Sequence, residues 1–232
     1  VGGQIMNFIE LFQQYFPSFL TALGLTLQLA LASLICASII GIIFGMFSVS
    51  KNKILNIICK IYVDIIRGTP LVVQVFIMYY GVAGAFLQPM DLNWDDFGGP
   101  FVAAVVALSL NAGAYMAEIV RGGIESVDKG QMEAARSLGL PYGKAMSKVI
   151  LPQAIRTMLP SIINQFIISI KDTSLVYAIG IRELTMNSQI ITANEPTSVM
   201  SIYVMAAIYY LVICTILSKV ANIVERKLSY GK

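Results

Sequence analysis

From Phe19 to Phe47 the chain carries no charged side chain. A helix built from such a run is apolar on every face, and a helix apolar all round is buried in a large core or in a membrane. Crossing a hydrocarbon layer takes about twenty such residues. Four further apolar runs follow at about 54–88, 101–123, 158–180 and 200–223. With 57% hydrophobic residues, 12% charged residues and a mean hydropathy of +0.75, the chain reads as an all-α integral membrane protein with five transmembrane helices, its membrane domain covering 19–226. The run 54–88 is too long for one upright crossing and is interrupted by Asp64, Arg67, Gly68 and Pro70. It is expected to form a single kinked or tilted helix whose first turns extend beyond the bilayer. Residues 1–18 are expected as an amphipathic segment along the interface, and 227–232 as a short tail.

Lysine and arginine favour the cytoplasmic side of a membrane. Lys51 and Lys53 follow the first run. Lys129, Arg136, Lys144, Lys148 and Arg156 lie between the third and fourth. Arg226, Lys227 and Lys232 follow the fifth. All share one face if the N-terminus is outside and the C-terminus cytoplasmic. The other face then holds Glu10, Asp91, Asp95, Asp96, Glu183 and Glu195, with Arg182 as its only basic residue and Trp94 at an interfacial position.

The composition also excludes chemistry. The chain has no histidine, which removes Ser-His-Asp and Cys-His nucleophilic sites and the HExxH metal site. Cys36, Cys59 and Cys214 lie in apolar runs and are odd in number, which fits packing rather than a disulfide framework or zinc site. The stretch Gly139–Lys144 is one residue too short for a phosphate loop and lacks the following Ser or Thr. No catalytic residue, metal, cofactor or nucleic-acid partner is therefore expected in this chain.

Polar groups inside the spans are the candidate functional residues, because they are costly there and usually retained for a purpose. Glu118 and Arg121 stand three apart, on one helix face, and read as an ion pair at the membrane edge. Thr69 and Gln74 flank Pro70, which removes a backbone donor and frees a carbonyl. Asn111 lies in the third run. Asn164, Gln165, Lys171 and Asp172 lie in the fourth. Thr69, Gln74, Asn111, Asn164, Gln165, Lys171 and Asp172 either line a wet path near midplane or tie helix to helix. Gly41 and Gly45 form a GxxxG step that permits close helix approach.

Between the third and fourth spans lies a long helix-prone insert, about 128–152. Asp128 can cap a helix start, Gly139 can take the positive φ of a helix end, and Pro141 prevents continuation. A second short helix is expected over Gly143–Ile150, broken by Pro152. Glu133, Ala134, Ala135 and Gly139, followed after nine residues by Val149, Ile150, Leu151 and Pro152, resemble the EAA loop of ABC importer permeases, with Val149 in place of the usual isoleucine. Arg67-Gly68-Thr69-Pro70-Leu71 with Gln74, the run from Asn111 through Ala114, Tyr115 and Glu118 to Arg121-Gly122, and Leu159-Pro160 followed by Asn164 and Lys171-Asp172-Thr173-Ser174-Leu175 are similar to the polar amino acid permeases of the histidine, glutamine and arginine uptake group.

That resemblance, over about Phe19–Arg226, implies a type I importer permease fold working as a dimer, with a second copy or close homologue. It implies a pair of ATPase subunits carrying ATP and magnesium, an extracytoplasmic substrate-binding protein, an amino acid substrate and a lipid bilayer around the whole. It makes Glu133, Ala134, Ala135, Arg136, Gly139, Leu151 and Pro152 the residues of ATPase coupling. The rival expectation is an ion-coupled secondary amino acid transporter, which usually carries coupling carboxylates at depth and an internal repeat.

Overall fold

Gly41 and Gly45 sit where helices touch most closely, and their missing side chains are what allow it. A Cβ built on Gly45 would lie 2.5 Å from Cβ of Val120 and 3.0 Å from the Ala117 carbonyl oxygen. One built on Gly41 would collide with Met116. The first apolar run and the third therefore pack backbone to backbone, as the GxxxG step suggests.

The computed structural model describes residues 8–229. Every regular element among them is helical. Helix α1 is Phe8–Ser48, α2 Lys53–Arg67 and α3 Leu71–Phe76, which runs on through wide π turns to Leu87. Helix α4 is Pro100–Glu125, α5 Lys129–Ser137, α6 Tyr142–Ala145, α7 Leu151–Asp172, α8 Leu184–Asn194 and α9 Val199–Ser229. Among the described residues, five helical stretches are long and apolar enough to cross a membrane: Phe8–Ser48, Leu71–Met90, Pro100–Glu125, Tyr142–Ile179 and Val199–Ala221.

Three boundaries differ from the sequence expectation. Residues 8–18 are the first turns of α1 rather than a separate interfacial element, because Leu11 is as fully buried as Phe19 and joins the same core. Residues 1–7 of that expected segment and 230–232 of the expected tail lie outside the described residues. The run 54–88 is two helices, not one kinked helix. Gly68 closes α2 by donating its N–H to the Asp64 carbonyl (2.9 Å), and Pro70, extended at φ −65° and ψ 136°, starts α3. A residue before proline is pushed out of the helical region, so Thr69 cannot continue α2. Finally, Pro152 does not break the helix that precedes it. Met146–Ile150 form a π turn in which Leu151 N–H reaches the Met146 carbonyl five residues back. This wider turn carries the chain past the proline ring, and Tyr142–Ile179 is one helical run.

Contacts divide the chain into two compact units. The first contains residues 8–34, Pro70–Leu108 and Ile167–Leu217. Its one core joins Leu11, Phe19 and Ala22 to Leu184, Ile191, Ile202 and Met205, with the Phe19 and Tyr209 rings stacked at 5.3 Å. Its other core gathers Leu29, Val75, Ala104, Ala107 and Val176. Trp94 donates its indole N–H to the Tyr79 carbonyl at 2.9 Å. Glu183 is no surface charge. It is 0% exposed, accepts from the N–H groups of Thr185 and Met186 (2.8 Å each) to cap α8, and accepts from Tyr210 Oη at 2.9 Å.

The second unit contains Ile35–Thr69, Ser109–Phe166 and residues 218–229. Asn52 caps α2 through its side chain, accepting from Ile54 N–H at 2.9 Å. Cys59, Val63, Ala114 and Ala117 form one core, with Phe44 and Tyr62 against them. Tyr62 Oη donates to the Leu110 carbonyl at 2.6 Å. Val120, Ile124, Met146, Ile150, Ala154 and Met158 form the other.

Two outcomes follow. Gly45→Val should cost about 1–3 kcal/mol by overpacking a site that has no room, read as a lowered unfolding midpoint of the purified protein. Burial raises the Glu183 pKa against the pull of its hydrogen bonds. Its proton therefore stabilises the fold fully below the unfolded carboxylate value of about 4.3, and that contribution is lost as pH rises through the raised folded value. In Glu183→Gln that part of the pH slope should be missing from thermal unfolding curves.

Candidate functional site

The insert at 128–152 folds as the residue order demands. Asp128 accepts from Gly130 N–H at 2.7 Å and starts α5. The end of α5 is a Schellman turn: Leu140 N–H bonds the Ala135 carbonyl at 3.2 Å and Gly139 N–H bonds the Arg136 carbonyl at 3.0 Å. Gly139 makes this possible with φ +84°, a left-handed conformation open to glycine at little cost. Pro141 then caps α6, its carbonyl accepting from Lys144 and Ala145. Arg136 Nη1 donates back to the Leu140 carbonyl at 3.0 Å, and Lys51 stands 5.2 Å over the Tyr142 ring. Met132, Met146, Val149 and Ile150 turn inward onto Val120 and Ile124 of α4 and Ala154 and Met158 of α7. The insert is thereby fastened to both helices by apolar contact.

The motif residues separate by exposure. Glu133, Ala134, Arg136, Gly139 and Pro152 face solvent, and Leu151 is half-buried. Ala135 is 4% exposed and packs into the chain itself, where it supports the insert.

A second feature lies at the break after α2. Arg67, Tyr115, Glu118, Ser161, Asn164 and Gln165 line a cavity of about 530 Å³. Glu118 is a hub. Arg121 grips it with Nε at 3.0 Å and Nη2 at 2.9 Å, and Arg121 Nη1 holds Glu125 at 2.6 Å. Arg67 Nη1 reaches Glu118 at 3.3 Å and lies 5.3 Å over the Tyr115 ring. A neighbouring cavity of about 380 Å³ adds Asn56, Lys60 and Asp64, and Arg67 and Glu118 belong to both walls. A guanidinium and a carboxylate side by side present donors to a carboxylate and acceptors to an ammonium group.

Of the path residues expected from sequence, Asn164 and Gln165 meet in the first cavity. Thr69 and Asn111 belong to the same unit but lie outside that wall. The Thr69 hydroxyl donates to the Ile65 carbonyl at 2.9 Å, and Asn111 is buried in α4. Gln74, Lys171 and Asp172 belong to the other unit, with Lys171 exposed and Asp172 half-buried where α7 ends. Arg67, Tyr115 and Glu118 were not among the expected path residues. Their spacing suggests an edge ion pair and an interruption. The legible signal was Arg67 itself, a charge standing immediately before a helix break.

The family described as "Binding-protein-dependent transport system inner membrane component" matches residues 37–230. The chain belongs to that family. It is a multi-pass component of the bacterial cytoplasmic membrane. The permease is 40% identical to the L-cystine transport system permease protein of Bacillus subtilis (strain 168) over 216 residues, covering 93% of this chain and 88% of the relative. It is 40% identical to the glutamine transport system permease protein of Escherichia coli (strain K12) over 212 residues, covering 91% and 93%. Among solved structures, the crystal structure of an amino acid ABC transporter with histidines matches at TM-score 0.85 and 34% identity, covering 97% of the permease and all of that chain. No similarity favours an ion-coupled secondary transporter.

The charge hub has a measurable asymmetry. Glu118→Gln leaves Arg121 paired with Glu125 but without the Glu118 carboxylate, and should lower stability by about 1.5–3 kcal/mol, the worth of hydrogen bonds to charged groups. Arg67→Ala, which removes one longer and partly exposed contact, should lower it by less than half as much. Chemical denaturation of the two purified variants beside the wild type measures the difference.

Proposed function

We propose that this permease forms the amino acid path of an ATP-driven importer and is driven through the exposed insert at 128–152. The observation that carries the reading is the apolar fastening of that insert to α4 and α7 through Met132, Met146, Val149 and Ile150. A packed cluster switches as a body rather than bending. A push on the insert therefore moves the helices that carry Glu118, Asn164 and Gln165.

Two copies of the chain, or one copy and a close homologue, would pair around the path, N-termini outside and the insert cytoplasmic. Two ATPase subunits holding ATP and magnesium would grip the inserts, and an extracytoplasmic binding protein would deliver substrate. Glu133 and Arg136 would meet the ATPase, with Ala134 allowing close approach, Gly139 setting the turn, and Leu151 and Pro152 placing the start of α7. The relatives are named for cystine, glutamine, arginine and nopaline, whose shared part is an amino acid backbone. That part suits Arg67 and Glu118: the α-carboxylate takes Arg67, and the α-ammonium takes Glu118, which Arg121 keeps in place. Asn164 and Gln165 offer neutral amides to the remainder. Thr69, Gln74, Asn111, Lys171 and Asp172 would serve other stages of the path.

Gly139→Asp tests the coupling. A Cβ at Gly139 meets nothing within 4 Å in the chain, so the variant carries only the left-handed penalty of about 1–2 kcal/mol and directs its side chain outward. Reconstituted with ATPase and binding protein, it should insert normally, fail to retain the ATPase on purification and lose ATP-driven amino acid uptake. Normal ATPase retention by that variant would refute the assignment. Arg67→Ala should retain the ATPase yet lose amino acid stimulation of ATP hydrolysis, and unchanged stimulation would remove Arg67 from the path.

A further inference from the structure

Arg182, in the first unit, is an exposed residue between two buried ones. Gly180 turns the chain at φ +82°, and Ile181 and Glu183 are drawn into the protein. The Glu183 N–H closes the turn onto the Ile181 carbonyl at 2.9 Å. The guanidinium is held as well. Its Nε donates to Asn187 Oδ1 at 3.1 Å and its Nη2 to Ser18 Oγ at 3.4 Å, while Ser18 Oγ itself donates to Asn187 Oδ1 at 2.7 Å. Asn187 is 1% exposed, so the arginine is fixed from the core. These bonds occupy two of the five N–H donors of a guanidinium. None of the ion pairs among the described residues includes Arg182. With Pro17, Ser18, Thr21 and Ala22 it lines a cavity of about 340 Å³.

The level of this cavity decides what it can take. Ser18 immediately precedes the charge-free run Phe19–Phe47, so the guanidinium lies where hydrocarbon gives way to the polar layer. On the neighbouring face of α1, Leu20, Leu27 and Leu31 form an exposed apolar stripe. Gly24 lies within the stripe, and a Cβ there would meet nothing within 4 Å. From Leu20 to Leu31 a helix rises about 16 Å, close to the depth of one leaflet, half of about 30 Å. We propose that Arg182 and this cavity bind the phosphodiester of a phospholipid, in the leaflet at the N-terminal end of α1, with one acyl chain laid along the leucine stripe over Gly24. The phosphate takes the remaining guanidinium donors as charge-assisted hydrogen bonds. The Ser18 and Thr21 hydroxyls have given their protons to Asn187 and to the Pro17 carbonyl (3.0 Å). Their oxygens are thus acceptors for the hydroxyl or ammonium of the headgroup. A free phosphate ion would engage Arg182 but make no use of the stripe. The leaflet is the outer one in the orientation proposed above, and the site is separate from the amino acid path.

The test is native mass spectrometry and thermal unfolding of the full-length permease in a neutral sugar detergent. It is titrated with phosphatidylglycerol, with diacylglycerol of the same chains, and with glycerol 3-phosphate. Wild type should retain phosphatidylglycerol and unfold at a higher temperature with it. Diacylglycerol, which lacks the phosphate, and glycerol 3-phosphate, which lacks the chains, should each bind at least roughly 10-fold more weakly, the worth of one charge-assisted hydrogen bond or more. Arg182→Gln should lose about the same factor for phosphatidylglycerol, and Arg182→Lys should fall between, keeping the charge but not the planar fork. Thr21→Leu, which narrows the cavity without removing either bond of Arg182, should weaken retention too. Phosphatidylglycerol affinity within twofold of wild type in Arg182→Gln would overturn the proposal. So would diacylglycerol or glycerol 3-phosphate binding as tightly as the whole lipid. If Arg182→Gln keeps its lipid affinity but loses the extracytoplasmic binding protein, the arginine is a protein contact and the lipid site falls. Because the readout is lipid retention rather than uptake, any of these failures leaves the import role standing.

Discussion

The apolar contact of Met132, Met146, Val149 and Ile150 with Val120, Ile124, Ala154 and Met158 is the constraint on which the second unit depends. Without it the polar insert would be a solvated tether between two membrane helices. With it, α5 and the π turn after α6 are extensions of α4 and α7. The contact also explains why the insert alternates in character. Met132, Met146, Val149 and Ile150 join the cluster, while Lys129, Glu133, Arg136, Lys144 and Lys148 are exposed. Small residues do the complementary work: Ala135 sits between α5 and the chain beneath it at 4% exposure, and Ala145 is fully buried. A larger side chain at either place would lift the insert off its seat.

Much of this was legible before any coordinates. The presence of five membrane-length apolar helices, the Asp128 cap, the Gly139 turn and the close approach at Gly41 and Gly45 each follow from a local rule that the structure obeys, although the second run is split. What the sequence hid has physical causes. Pro152 signals a helix break, yet a π turn one residue wider absorbs it, and no local propensity announces a π turn. Gly68, Thr69 and Pro70 signal a bend, but the helix stops there: the Gly68 N–H makes the closing bond of α2 to the Asp64 carbonyl, and Pro70 is extended. Glu183 reads as an exposed loop carboxylate. Its two backbone N–H partners are local, from the first turn of α8, and only the tertiary arrangement brings Tyr210 to it and so makes its burial tolerable.

The cavity was half legible. Asn164 and Gln165 were marked by polarity within an apolar helix, the usual sign of function in a membrane span. Glu118 and Arg121 were equally visible, but their spacing of three explained them completely as a local pair, and that explanation concealed the third partner. Arg67 lies some fifty residues away in sequence, on a different helix, and nothing in either segment names the other. Its arrival turns a local ion pair into a hub shared by two cavities.

The hub is built unequally, and the inequality has a direction. Arg121 holds Glu118 with two short hydrogen bonds and Glu125 with a third, all within turns of one helix, so Glu118 and Arg121 move together with α4. Arg67 holds the same carboxylate by one 3.3 Å contact from another helix, and Gly68 follows it directly. A guanidinium with one longer bond, next to a chain break, is the group that can exchange partners at least cost. Its alternatives are the Tyr115 face, already 5.3 Å away, and any carboxylate entering the cavity. Stability therefore resides in the Arg121 side of the hub and responsiveness in the Arg67 side. If the cavity is the proposed amino acid path, that division suits it, because a site that held both charges equally tightly would bind its cargo and keep it.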